Sequence, residues 1–117
     1  MSDTKGSESV VLRDFRDSRG HRFLEATRRE DGGIAIDGQD LGDGVEEAFG
    51  AGLTEYEWAW RIEPQDVPAA VEALGGHEAD DPMRVLEAWF SGHGGKDPGS
   101  HLKDAGVPIG FWSHVGD

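Results

Sequence analysis

The sequence predicts an α+β fold, in which an antiparallel sheet of about four to five strands carries two to three helices on one face. The first observation is a change in hydrophobic period, from two in the first half of the chain to about 3.6 over residues 66–105. The second is that short turns separate the first strands, which favours an antiparallel arrangement. The third is an apolar segment at 107–115, which predicts a C-terminal strand that returns to the sheet after the helices.

Three strands are predicted in the first third of the chain, at residues 10–16, 22–29 and 33–37. Turns rich in Asp, Ser and Gly separate them, at 17–20 and 31–33. The facing of the first strand stays open, because apolar residues occur at both parities. Residues 38–44 are rich in Gly and Asp and predict a loop. Residues 45–49 then predict a helical turn or a bulged strand.

The clearest strand lies at residues 54–63. Strict alternation places Tyr56, Trp58, Trp60 and Ile62 on one face and polar or small side chains on the other, which is typical of a half-buried strand. Pro64 ends it, because proline cannot donate to the sheet ladder. We therefore expect these aromatic side chains to form the centre of the core.

Three helices are predicted after this strand. Asp66 and Asp81 are candidate N-caps, and Pro82 suits the first position of the second helix. A third, shorter helix is predicted after Asp97-Pro98 or Ser100. Gly75-Gly76, Gly92 and Gly106 end the three helices.

A chain of 117 residues predicts one domain, assigned to residues 9–117, after a flexible polar segment at residues 1–8. The sequence contains no Cys, so it has no disulfide, no thiolate nucleophile and no Cys-based zinc site. It also shows no secretion signal and no apolar stretch long enough to span a bilayer. We therefore expect a cytoplasmic protein that does not bind membranes, as a monomer or a weak homodimer.

The net charge of −13 is unevenly distributed. Residues 1–30 hold seven bases and six acids, whereas residues 31–117 hold four bases and eighteen acids. The segment from Asp31 to Glu57 contains eight acids and no Lys or Arg. Such a field repels phosphate backbones, so nucleic-acid binding is disfavoured. It attracts a basic protein and accelerates the encounter, although acidity also serves solubility alone.

Several short motifs resemble those of a group of small actinobacterial proteins with no established activity. They are Gly38-x-Asp40-Leu41-Gly42, Glu55-Tyr56-Glu57-Trp58, Val67-Pro68, Leu74-Gly75-Gly76, Gly106-Val107-Pro108 and Phe111-Trp112-Ser113. The resemblance covers most of residues 30–115. It implies a single cytoplasmic α+β domain and supplies no site residues.

The acidic segment 37–47 is the strongest candidate site. Asp37, Asp40, Asp43 and Glu46 recur at intervals of three, and Glu47 adds a fifth carboxylate. Three interpretations stay open, namely a divalent-cation site, a protein-binding surface and a solvated turn-forming loop. The spacing does not match an EF-hand loop. The four tryptophans are expected to lie in the core, and if one of them is exposed we expect it to be Trp112, because Phe111 takes the opposite facing. An exposed Trp beside acids is typical of a binding hot spot.

No catalytic residue, metal ligand or cofactor is assigned from the sequence. His93 and His101 flank a Gly-rich segment, but their spacing matches no zinc signature, and Ser100, His101 and Asp104 are too close in sequence for a catalytic relay. No phosphate-binding glycine motif is present. The leading hypothesis is a non-enzymatic acidic protein-binding module, for example an immunity or inhibitor protein for a basic partner. The alternative is a small enzyme or divalent-cation-binding protein that uses loop 37–47 and the His93–His101 segment.

Overall fold

A computed structural model describes residues 8–116 and confirms the α+β fold. Residues 1–7 of the predicted flexible segment 1–8 lie outside the described residues, and so does Asp117. In chain order the elements are β1 (Glu8–Asp17), β2 (Gly20–Arg28), β3 (Ile34–Gly42), α1 (Asp43–Phe49), β4 (Glu55–Ile62), α2 (Val67–Ala73), α3 (Pro82–Gly92), α4 (Pro98–Asp104) and β5 (Gly110–Gly116), with a 3₁₀ turn at Pro64–Asp66. Within residues 8–116, no helix has both the length and the apolar composition needed to cross a membrane.

The five strands form one antiparallel sheet in the order β1-β2-β3-β4-β5. The predicted meander is therefore continuous through the first four strands. The returning strand β5 pairs with β4, which the sequence left undecided. The two edges of the sheet are consequently formed by the first and last strands of the described chain.

The core lies between one sheet face and the helices α2, α3 and α4. Trp58, Trp60 and Ile62 of β4 are buried there, as the alternation predicted. The sheet adds Leu24, Ala26, Ile34 and Ile36, and the helices add Ala70, Leu74, Met83, Leu86, Trp89 and Leu102. Burying a large apolar side chain stabilises the fold by about 1.5–3 kcal/mol. We call this sheet surface the helix face and the opposite surface the open face.

Two glycines let tryptophan rings lie directly on the backbone. A Cβ atom built on Gly38 would come within 2.2 Å of Cζ2 of Trp58, and one built on Gly99 within 2.2 Å of Cγ of Trp60. Both distances are far below van der Waals contact, so no side chain fits at either position. Gly38 belongs to β3 and Gly99 to α4, so both tryptophans of β4 pack tightly against neighbouring elements.

The predicted loop at residues 38–44 is wrong, because β3 continues to Gly42 and α1 begins at Asp43. Gly38, Asp40 and Leu41 all pair with residues of β2 and β4. Glycine is required at position 38 for packing and not for a turn, because the ring of Trp58 occupies the space that a side chain would fill. Tertiary packing therefore overrides the local preference of Gly and Asp for turns.

A bulge in β1 decides the facing that the sequence left open. Val11 pairs with Glu25 and Arg13 pairs with Leu24, so the register shifts between the two residues. Val11 consequently lies on the open face, whereas Arg13 and Phe15 lie on the helix face. Arg13 donates to the carbonyl oxygen of Gly95 at 2.6 Å.

Of the two predicted helix caps, the one at Asp81 is present, and Asp97 caps α4 in the same way. The carboxylate of Asp81 accepts from the N–H of Met83 at 3.0 Å, and that of Asp97 accepts from the N–H of Gly99 at 3.0 Å. Asp66 forms no capping hydrogen bond through its side chain, because a 3₁₀ turn leads directly into α2.

Candidate functional site

The six residues predicted to contact a partner are divided by the structure among three places. Asp37 and Trp112 lie on the open face, Asp40 lies on the helix face, and Asp43, Glu46 and Glu47 lie on α1. The acidic segment is therefore not one surface. Alternation along β3 sends Asp37 and Asp40 to opposite sides of the sheet.

One row of side chains crosses the centre of the open face. Asp37 of β3 lies between Glu25 of β2 and Ala59 of β4, and Ala59 lies opposite Trp112 of β5. Asp37 and Trp112 help to line a shallow groove of about 290 Å³ on this face. Trp112 is 56% exposed, in agreement with the sequence prediction.

A second row brings further acids beside this groove. Gln39 of β3 lies opposite Glu57 of β4. Its side-chain amide donates to Oε2 of Glu55 at 3.1 Å and to Oε2 of Glu57 at 3.4 Å. A neutral amide thus holds two carboxylates in place and leaves their negative charge uncancelled.

Sequence reasoning missed Phe23, Glu57 and His114 as members of this surface. Phe23 and Glu57 line the groove, and the ring of His114 stacks with that of Trp112 at a centroid distance of 6.4 Å. Glu57 could have been predicted, because it lies on the polar face of the alternating strand β4. The positions of Phe23 and His114 depend on strand register, which the sequence did not reveal.

The carboxyl group of Asp37 is partly covered although the residue as a whole is exposed. Burial raises the pKa of Asp37, and the positive charges of Arg61 and Arg29 oppose that rise. Burial therefore works against the ionised form of this carboxyl. A cation placed in the groove would favour the charged form.

Two of the predicted contact residues on α1 are engaged within the protein. Glu47 accepts a hydrogen bond from the guanidinium of Arg19, and Glu46 accepts one from the backbone N–H of Gly52 at 2.9 Å. Asp43, at the start of α1, is exposed. The acids of α1 therefore serve the local structure of the β1–β2 turn and of the α1–β4 connection.

Asp40 occupies a second concave region, at the end of the sheet that α1 covers. Its Oδ1 atom is buried, and no described residue forms a hydrogen bond with it. Burial raises the pKa of Asp40, while the charges of Arg22 and Arg13 oppose the rise. In the part of the chain that the structure describes, no basic group forms an ion pair with this carboxylate.

Asp40→Asn is expected to stabilise the protein at pH 7. The pKa of Asp40 is raised in the folded state above its unfolded value, so the ionised carboxyl destabilises the fold at every pH above the folded-state pKa. This destabilisation disappears as the pH falls from the folded-state pKa to the unfolded one. Because Asp40 is only half-buried, we expect a gain of about 0.5 kcal/mol, or about 2 °C in Tm. Thermal unfolding at pH 7 and near pH 3.5 measures it.

The matched control is Glu87→Gln, which removes one charge from an exposed position of α3. Its Tm should equal that of the wild type at pH 7. A gain for Asp40→Asn that stays constant as the pH is lowered would show that the ionised carboxyl is not the cause.

The two histidines of the predicted alternative site pack around one tryptophan. The ring of His93 stacks on Trp89 at 4.2 Å between centroids, and that of His101 lies at 4.7 Å from the same indole. His93 also hydrogen-bonds the carbonyl oxygen of Trp89 through Nδ1, and His101 that of Ala73 through Nε2. Both rings thus take part in packing α2, α3 and α4 together.

Within residues 8–116, no group of three or more His, Cys, Asp or Glu side chains is placed to hold a metal ion. Comparisons of the chain with protein-family models, with curated proteins and with solved structures give no significant match. The resemblance to small actinobacterial proteins therefore stays a prediction.

Proposed function

We propose that the protein is a non-enzymatic binding module that presents the open face of its sheet to a basic partner protein. The observation that supports this most directly is Trp112, a large aromatic side chain that is 56% exposed and lines the same groove as Asp37. A role as an immunity or inhibitor protein for a cationic enzyme or toxin is the specific form of the proposal.

The charges of the open face favour a basic partner. Glu25, Asp37, Glu55 and Glu57 lie on its three central strands, where the basic side chains of the same face are Arg61 and His21. A surface of this sign attracts Lys and Arg side chains and accelerates association at low salt.

The geometry suits a Lys or Arg side chain seated on Trp112. Cations bind over indole rings, and the nearby carboxylates of Asp37 and Glu57 add a direct charge interaction. Tryptophan is enriched among the residues that dominate interface energies, with losses of about 2 kcal/mol or more on truncation. Trp112→Ala is therefore expected to weaken partner binding by about 30-fold.

Affinity capture from a lysate of the source organism at about 50 mM salt tests the proposal. The wild type should retain a basic protein that is released as salt is raised. The double variant Asp37→Lys/Glu57→Lys should lose that protein, because the substitutions place like charges against it.

The matched control is Glu72→Lys/Glu87→Lys, which changes the net charge equally at exposed positions of α2 and α3. This control should keep the partner. If both double variants lose the captured protein equally, net charge alone explains the binding and the open face is not the contact surface. Capture that does not depend on salt would contradict an electrostatic contact with the open face.

A further inference from the structure

A second concave site lies at the other surface of the sheet, beside α1. It is a cleft of about 440 Å³, which is the size of pockets that hold small molecules. Four of its strand residues, Phe15, Arg22, Asp40 and Tyr56, lie on the opposite side of the sheet from Trp112. We call it the α1 cleft.

Four residues paired across four strands line the α1 cleft. Phe15 of β1 lies opposite Arg22 of β2, Arg22 opposite Asp40 of β3, and Asp40 opposite Tyr56 of β4. The bulge in β1 is what turns Phe15 toward this side. The row therefore places one base and one acid between two aromatic rings.

Aromatic side chains form the walls of the α1 cleft. Phe15 is 55% exposed and Phe49 of α1 is 47% exposed. The rings of Phe49 and Tyr56 are 5.1 Å apart, and Tyr56 stacks on Trp58 at 5.2 Å. The walls thus offer exposed apolar surface and ring faces of the kind that bind organic cations.

Within residues 8–116, no side chain forms an ion pair with the Asp40 carboxylate, and the positive charges of Arg22 and Arg13 offset its burial only in part. Among the basic residues that line the cleft, Arg19 is paired with Glu47, and His21 is hydrogen-bonded to Asp14 at 2.7 Å. The side chain of Arg22 is exposed, and within residues 8–116 it forms no ion pair with Asp40.

The carboxylate of Asp40 and the guanidinium of Arg22 differ in how far they are removed from water. Arg22 is exposed to solvent, whereas Asp40 is half-buried and its Oδ1 atom has no hydrogen-bond partner. An uncompensated charge is costly in proportion to its removal from water. A ligand therefore gains most by supplying a positive group to Asp40.

We propose that the α1 cleft binds a small organic cation, an ammonium or guanidinium group carried on a flat apolar body. The cation would lie against the Asp40 carboxylate, and the apolar body would lie against the aromatic walls formed by Phe15, Phe49 and Tyr56. This site is independent of the open face, so either proposal can fail without the other.

Titration with 2-phenylethylamine at pH 7, followed by two-dimensional NMR of the full chain, tests the proposal. We expect saturable shifts at residues of the α1 cleft with a Kd of about 1 mM, as a ligand of this size allows. The comparison ligand is 3-phenylpropionate, which keeps the ring and chain but replaces the ammonium with a carboxylate. It should bind at least about tenfold more weakly.

Asp40→Asn should weaken phenylethylamine binding at least about tenfold, since it removes the charged acceptor. Asp43→Asn removes the same charge from the start of α1, outside the cleft lining, and should leave the Kd unchanged. Ala48→Phe should block binding by filling the cleft from an exposed helix position, so the test does not depend on one variant.

The proposal is overturned if phenylethylamine gives no saturable shifts at about 10 mM, or if 3-phenylpropionate binds equally well. Unchanged affinity in both Asp40→Asn and Ala48→Phe would overturn it as well.

Discussion

Gly38→Ala is expected to lower the free energy of unfolding by about 3 kcal/mol or more, and the Tm by about 12 °C or more. The new Cβ atom would lie 2.2 Å from Cζ2 and 2.3 Å from Cε2 of Trp58. Trp58 cannot withdraw easily, because its ring is buried in the core. Either the indole leaves its rotamer or β3 moves away from β4. Urea unfolding measures the loss.

The matched control is Gly44→Ala on α1. No atom lies within 4 Å of a Cβ built there, so this substitution adds the same methyl group without a clash. Because alanine favours a helix over glycine, we expect a gain of about 0.5–1 kcal/mol. Trp58→Phe in the Gly38→Ala background should recover part of the loss, since the smaller ring relieves the contact. Similar stabilities for both glycine variants would contradict the packing described for Trp58.

Asp97→Ala is expected to cost about 2–4 kcal/mol. One carboxylate oxygen caps α4 by accepting from the N–H of Gly99, and the other accepts from the indole N–H of Trp60 at 3.0 Å. Alanine removes the cap and leaves a buried indole donor without its acceptor. Thermal and urea unfolding of the variant measure the combined loss.

A double-mutant cycle with Trp60→Phe separates the two contributions of Asp97. Phenylalanine has no N–H, so Asp97→Ala should cost less in that background, by about 1–2 kcal/mol. Asp97→Asn keeps one acceptor oxygen and should lose about half as much as alanine. Strictly additive losses in the cycle would show that the indole and the carboxylate act independently.

The elements that sequence reasoning predicted correctly are those whose signals are local. The alternation of β4 and the cap at Asp81 each involve residues close together in the chain, and both are present in the structure. The extent of β3 was wrong because Gly38 looks like a turn residue until the ring of Trp58 is placed on it. Only the pairing of β3 with β4 supplies that information.

The candidate sites were less predictable for the same reason. The sequence singled out Trp112 and the acids correctly as unusual, but treated the segment 37–47 as one surface. Alternation along a strand longer than expected places Asp37 and Asp40 on opposite faces. The α1 cleft depends on the register of four strands and on a bulge after Val11. Neither feature can be predicted from a short stretch of sequence.

The order of the strands also bears on how the chain folds. The turns between β1, β2 and β3 are short, so these hairpins close with little loss of chain entropy, whereas pairing β5 with β4 requires residues 63–109 to be brought into a closed loop. Strands of low sequence separation form early and distant ones late. We therefore expect β5 to complete the sheet, so that the groove shared by Trp112 and Asp37 forms after the hairpins of β1 to β3.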